Sequence, residues 1–311
     1  MEPQFKVTDN KSVKDVTKVL NINVGVLGHI DSGKTSLCRL ISTIASTSAF
    51  DKVPQSQERG ITLELGFSAF LIEMPEWFKA KHEEAKNFTH IQFTLVDCPG
   101  HASLIKTIIG GASIIDIMIL VIDSVKGIQT QTAECLVIGE ILKRKLIIAL
   151  NKVDLIEGEE KDKKIKVLTN NFKKFLKDSC FGLDTPIQPV IAVHKDESSK
   201  QLQTQYLNDL ILSLLQHIDF PKRNTEGPFI YSADHCFIIK GQGTVLTGTI
   251  LKGKVTVGDM IEIPAIGEKR KVKSLQIFRK PITTAMQGDR VGICLPQLDS
   301  KEVNYKYKKL V

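Results

Sequence analysis

The chain has 311 residues, 42% apolar and 25% charged, and carries 42 basic against 35 acidic side chains for a net charge of +7. That length allows two domains, each with its own core, and an average composition with mean hydropathy of -0.02 excludes extended disorder, collagen and coiled coil. The most apolar run, 114–122, already contains Asp116 and is too short for a membrane span, and residues 1–20 hold no continuous apolar stretch for export, so a cytoplasmic protein with no membrane partner is expected.

In chain order, residues 1–20 read as an N-terminal extension. Strand-like runs at 22–27, 63–72, 91–96, 117–122, 146–150 and 190–193 then alternate with helix-length segments at 34–46, 131–142, 159–177 and 202–217. This is the pattern of a mainly parallel sheet with helices on both faces. The polar stretch 75–90 reads as a surface insertion between two strands. Pro221, Gly227 and Pro228 break the rhythm and mark a linker near 219–227. Short β-branched segments with glycine turns from 227 to 298 read as a small antiparallel β-barrel, and 299–311 as a basic tail. The predicted fold is an α/β P-loop domain over 21–220 followed by that barrel.

Six cysteines at 38, 98, 135, 180, 236 and 294 include no CxxC pair, which favours reduced thiols over zinc or redox chemistry. Residues 1–225 hold 28 basic and 27 acidic side chains, whereas 226–311 hold 14 and 8. The surplus in the second part fits either plain solubility or a polyanionic partner.

Chemistry concentrates in five short motifs. Gly28-His-Ile-Asp-Ser-Gly33-Lys34-Thr35 fits G-x-x-x-x-G-K-[ST] after a strand and before a helix, the setting in which backbone amides around Asp31 to Thr35 cradle phosphate. Lys34 then bridges β- and γ-phosphates, and the Thr35 hydroxyl is a Mg²⁺ ligand. Asp97 in DCPG ends a later strand, where a Walker-B carboxylate holds Mg²⁺ through water. Asn151-Lys152-Val153-Asp154 ends another strand, and the Asp154 carboxylate can accept two hydrogen bonds from guanine that adenine cannot supply. Thr62 of RGIT is placed to reach Mg²⁺ when a γ-phosphate is present, and His101 directly follows DCPG, close enough to orient water.

These motifs in this order resemble the translational GTPases, the family of elongation factor Tu. The segments AFDKVPQSQERGITLELGF, GIQTQTAECLVIGE and DHCFIIKGQGTVLTGTILKGK resemble the eukaryotic selenocysteine-specific branch, with likeness from about residue 21 to 297. The resemblance implies a ribosome-stimulated GTPase using GTP/GDP and Mg²⁺, with nucleotide contacts at Asp31, Ser32, Gly33, Lys34, Thr35 and Ser36 and at Asn151, Lys152 and Asp154. It implies that Ile30 and Ile61 gate the attacking water, that His101 enters when ribosomal RNA positions it, and that Asp31 helps hold a monovalent cation. The last guanine contact, Ser-Ala-Lys or similar in relatives, falls on 189–194 and leaves the backbone amide of Ala192.

On the barrel the resemblance implies an aminoacyl pocket at Asp234, His235 and Arg290, groups suited to a selenolate anion. The implied partners are selenocysteinyl-tRNA, the ribosome at UGA codons and the selenocysteine-recoding machinery. The family continues with further domains after this barrel, so the resemblance implies a form shortened at its C-terminus. A general aminoacyl- or initiator-tRNA carrier, and a GTP-dependent binding module without delivery activity, stay open.

Overall fold

The computed structural model describes residues 5, 7–8, 13, 15–42, 44–45, 66–98, 114–156, 161–194, 197–239, 241, 243–264, 266–278, 280–296 and 298. The chain divides into two compact units, Met1–Pro221 and Lys222–Val311.

In chain order the first unit contains β1 (Val7–Thr8), β2 (Val19–Leu27), α1 (Lys34–Ile41), β3 (Ile44–Ala45), β4 (Gly66–Glu73), α2 (Glu76–Lys81) and β5 (His90–Asp97). It continues with β6 (Ile117–Asp123), α3 (Thr130–Leu142), β7 (Lys145–Asn151), α4 (Lys161–Leu176), β8 (Ile187–Pro189) and α5 (Glu197–His217). The sheet runs β1-β4-β5-β2-β6-β7-β8, with β3 added on β4. From β5 to β8 every neighbouring pair is parallel, while β4 lies antiparallel on β5. A strand such as IMILVID is buried along its whole length because both of its faces are covered. Ile117, Ile119 and Val121 share a core with Leu37 and Ile41 of α1 and with Leu210 and Leu214 of α5. Met118 points the other way, onto α3, where a Cβ on Gly139 would lie 2.6 Å from its Cε.

Three elements differ from their sequence reading. The last parallel strand is Ile187–Pro189 rather than 190–193, and Val190 makes one final backbone bond to Leu150 before the chain leaves the sheet. The first helix ends at Ile41 instead of reaching residue 46, because Ile44–Ala45 is drawn into the sheet against Ala69 and Ser68. The segment 75–90 is more than a polar surface insertion: α2 and the turn after it bury Phe78 and Ala85 completely, and Phe78 rests against His82. Phe78→Ala is therefore expected to cost about 3–5 kcal/mol of stability, read as a lower urea midpoint with unchanged slope.

The second unit is all antiparallel. Its strands are β9 (Ile230–Ile239), β10 (Gly243–Lys252), β11 (Lys254–Thr256), β12 (Met260–Ile263), β13 (Glu268–Lys271), β14 (Ser274–Ile277), β15 (Lys280–Ile282), β16 (Thr284–Met286) and β17 (Arg290–Leu295). A five-stranded sheet, β15-β14-β17-β10-β9, and the ribbons β11-β16 and β12-β13 surround one core built on Ile250, Val255, Leu275, Ala285 and Ile293, the arrangement expected of a small barrel. Between β9 and β10 the register slips by one residue, Thr247 facing His235 and Gly248 facing Ala233, so Asp234 is the extra residue of a bulge. Gly248 is required there, since a Cβ would stand 2.0 Å from the Ser232 carbonyl oxygen.

Candidate functional site

The carboxyl ends of β2, β5, β6 and β7 come together because the strands are parallel and in register, Val26 beside Asp97 and Asp123 beside Asn151. Ligands of open α/β sheets bind at this edge. The loop that leaves β2 turns through positive φ at Gly28, Asp31 and Gly33 and enters α1 at Lys34. Neither glycine tolerates a side chain: a Cβ on Gly28 would meet the Val121 carbonyl at 2.3 Å, and one on Gly33 the Asn151 amide nitrogen at 2.1 Å. The first turn of α1, with Thr35 and Ser36, offers N–H groups that the helix cannot pair internally.

Two polar groups inside this loop point to an anion. Among the described residues the buried Ser32 hydroxyl has no hydrogen-bond partner. The Lys34 ammonium, 6% exposed, donates to the carbonyls of Gly28 at 3.0 Å and His29 at 2.7 Å. Burial pushes Lys34 below the usual lysine range, with the Asp97 charge opposing. A phosphate group would supply the charge that this lysine lacks, so the residues fit a nucleotide.

Thr35 Oγ1 donates to Asp97 Oδ2 at 2.7 Å, which brings the two expected metal-side residues together. Hydroxyl and carboxylate oxygens are the hard donors Mg²⁺ takes alongside phosphate oxygens and water. Among the described residues no three His, Cys, Asp or Glu side chains converge into a metal cage of their own.

The base-side motif is fastened to the phosphate loop. Asn151 donates to the Ser32 carbonyl at 2.8 Å and accepts from the Ala192 N–H at 3.0 Å, tying three segments to one side chain. Lys152, in the left-handed region at φ 64, donates to the Asp31 carbonyl at 2.7 Å and to Asp123 Oδ2 at 2.8 Å. Asp154 sits in the short turn Val153–Leu155 directly beyond. The Ala192 turn is itself braced, with Gln203 of α5 donating to the Ile191 carbonyl at 2.8 Å.

Three residues that the sequence reading passed over belong to this frame. Asp123 accepts from the N–H groups of Val125 and Lys126 as well as from Lys152. Burial opposes its charge, yet the Lys152 bond and those two amides outweigh burial and hold the carboxyl below its usual range. Gln131 of α3 accepts from the Ile30 N–H at 3.1 Å and so fixes the backbone of an expected gate residue. Gln203 is the third. Asp123 stands at the tip of a strand, where a carboxylate is a readable signal; Gln131 and Gln203 act across long sequence separations that leave no local pattern. Ile61, Thr62 and His101 lie outside the described residues.

In the second unit the bulge brings Asp234, His235 and Arg290 together. Arg290 is 5% exposed and its guanidinium pairs with Asp234 Oδ2 at 2.5 Å; His235 Nδ1 and Thr247 Oγ1 contact Asp234 Oδ1 at 3.0 and 2.9 Å. Burial works against the Asp234 charge, but the His235 hydrogen bond and the Arg290 charge prevail and keep its carboxyl below the usual range. Among the described residues no helix is long and apolar enough to cross a membrane.

Residues 20–221 match the family described as elongation factor Tu GTP binding domain, and residues 243–304 match elongation factor Tu domain 2. The chain is 54% identical over 283 residues to the selenocysteine-specific elongation factor of Mus musculus, covering 91% of this chain and 48% of that protein. It is 40% identical over 275 residues to the factor of the same name from Methanocaldococcus jannaschii, covering 88% and 53%. A crystal structure of translation elongation factor SelB from Methanococcus maripaludis with the GTP analogue GppNHp superimposes with a TM-score of 0.70 at 33% identity, covering 92% of this chain and 53% of that one. The chain thus spans about half the length of the relatives it matches.

Proposed function

The chain belongs to the elongation factor Tu GTP-binding family, and from that premise we propose that it binds GTP and GDP with Mg²⁺, hydrolyses GTP on the ribosome and carries selenocysteinyl-tRNA to UGA codons. The observation that carries the nucleotide half is Asn151, which holds the phosphate loop, the guanine motif and the Ala192 turn in one hydrogen-bonded frame. Lys34 and the loop amides take the phosphates, Thr35 and Asp97 hold Mg²⁺ with Thr62 added from its own segment, and Asp154 reads the base. Bound Mg²⁺ neutralises charge on the β- and γ-phosphates. Ile30 and Ile61 gate the water, His101 orients it, and Asp31 helps with a monovalent cation. Weak intrinsic turnover, on the order of 10⁻⁴ to 10⁻² s⁻¹, rising on ribosomes, is expected. Turnover that ribosomes leave unchanged would make the chain a GTP-dependent binding module instead.

The names of the relatives and the Asp234–His235–Arg290 constellation support the selenocysteine half. Arg290 and Asp234 neutralise each other, so His235 is the group that can add positive charge for a selenolate. Asp234 stays ionised as pH falls from 7 to 5, because its carboxyl is held below the usual carboxylate range and protonates only in stronger acid. A loss of selectivity in that window therefore belongs to protonation of the selenolate, since charging the imidazole would raise it. The deciding measurement compares affinities for selenocysteinyl-, seryl- and methionyl-tRNA, using this chain joined to the C-terminal half of a full-length relative. Arg290→Ala leaves the Asp234 carboxylate uncompensated beside the selenolate and is expected to weaken selenocysteinyl-tRNA more than seryl-tRNA by about 10- to 150-fold, the equivalent of about 1.5–3 kcal/mol. Equal losses in a variant that still melts as a folded barrel would remove Arg290 from the pocket.

A further inference from the structure

Helix α4 carries a feature that nucleotide binding does not use. Between residues 161 and 177 the sequence holds seven lysines and one carboxylate, Asp162, in a unit that without them has an acidic excess. The helix buries Phe172 and Leu176 on one side. Helical spacing then places Lys163, Lys166, Lys173 and Lys174 along one exposed side, with Lys177 in line with them just past the last turn and Lys164 on the other flank. From Lys163 to Lys174 the stripe extends about 16 Å along the axis. Lys166, Lys173, Lys174 and Lys177 form no ion pair among the described residues.

We propose that this stripe docks on the sugar–phosphate backbone of a helical RNA. The choice of RNA rests on the translational reading; the physical argument is the composition of the face. Its members are lysines with Asn170 and Asn171 exposed between them, the side chains that contact phosphate and ribose rather than bases. Val167 borders the stripe and Phe175 lies on the far flank with Lys164, so the face lacks both the aromatic platform that unpaired bases stack on and the apolar surface that a bilayer takes in. A rigid row of like charges suits a polyanion that is itself rigid and regular.

The test uses the full 311-residue chain with Mg²⁺ and GDP, and follows anisotropy of a labelled 20-base-pair RNA duplex across a potassium chloride series. Lys166→Gln, Lys173→Gln, Lys174→Gln and Lys177→Gln are combined in one variant, since Gln keeps helix propensity. Its affinity at about 0.1 M salt is expected to fall at least tenfold, and the slope of log affinity on log salt to shrink by about 3.6, or about 0.9 for each lost phosphate contact. A second variant, Lys18→Gln, Lys81→Gln, Lys126→Gln and Lys143→Gln, removes the same charge from exposed positions elsewhere on the unit that likewise form no ion pair among the described residues, and should leave both nearly unchanged. Equal losses in the two variants, no loss in the first, or tighter stripe-dependent binding of poly-glutamate or phosphatidylserine vesicles than of RNA would each overturn the proposal. Guanine-nucleotide affinity is measured on the same samples: RNA failure with intact nucleotide binding sinks this surface alone, whereas failure of nucleotide binding sinks the GTPase reading.

Discussion

Asp154→Asn should convert a guanine-selective protein into a xanthine-selective one. The carboxylate accepts two hydrogen bonds, from the ring N1–H and the exocyclic amine of guanine, each a charge-assisted contact of about 1.5–3 kcal/mol. Losing both lowers GTP affinity by about 10² to 10⁴, and the amide, which can donate to the extra carbonyl of xanthine, recovers affinity for XTP. The same frame supplies a contrast. Asn151 donates to Ser32 and accepts from Ala192, so Asn151→Ala should reduce GTP and XTP binding alike, by loosening the loop instead of misreading the base. Titration of both proteins with fluorescent GTP, XTP and ATP in Mg²⁺ separates the roles. An Asp154→Asn variant that loses GTP without gaining XTP would show Asp154 to be scaffold as well.

The sequence disclosed this site unevenly, and the reasons are physical. Strands buried on both faces, such as Ile117–Asp123 and Lys145–Asn151, announce themselves as unbroken apolar runs, and the motifs at their ends need little else to be read. β8 was harder to place. It is three residues long and half-buried, while the apolar run that suggests a strand, 190–193, begins where pairing ends and turns the chain toward Asn151. Pro189 fits this because it closes an edge strand, where no partner needs its missing N–H. The buried face of 75–90 is hidden for another reason: Phe78 follows an exposed Trp77 among lysines and glutamates, and only its neighbours in space reveal which of the two is covered. Likewise, Asp234 and His235 are adjacent in sequence, which in a regular strand sends their side chains to opposite faces. The bulge opposite Thr247 and Gly248 allows both to serve one cluster.

Lys34→Met should separate the cost of the phosphate loop from its function. In the nucleotide-free chain the Lys34 ammonium is almost fully buried, and burial depresses its pKa below the lysine range. A base with a depressed folded pKa destabilises the fold wherever both states are protonated, and that penalty fades only as pH rises through the folded value toward the unfolded one. Well below the folded value the penalty is fully present. Methionine removes it at similar length, while leaving the Gly28 and His29 carbonyls without their donor, so the two effects oppose each other and the nucleotide-free variant should unfold within about 1 kcal/mol of the parent. Nucleotide binding should change far more. Contacts to two phosphates at about 1.5–3 kcal/mol each predict a loss of about 10² to 10⁴ in GTP affinity, and the one β-phosphate contact a loss of about 10- to 150-fold in GDP affinity. The parent at 100 times its dissociation constant gains about 2.7 kcal/mol from GDP, and the variant at the same concentration should gain less than about 1.4. Paired denaturation curves with and without Mg²⁺–GDP read both quantities at once. A variant that stays as strongly stabilised by GDP as the parent would show that the loop amides alone carry phosphate binding, and that Lys34 serves only to brace Gly28 and His29.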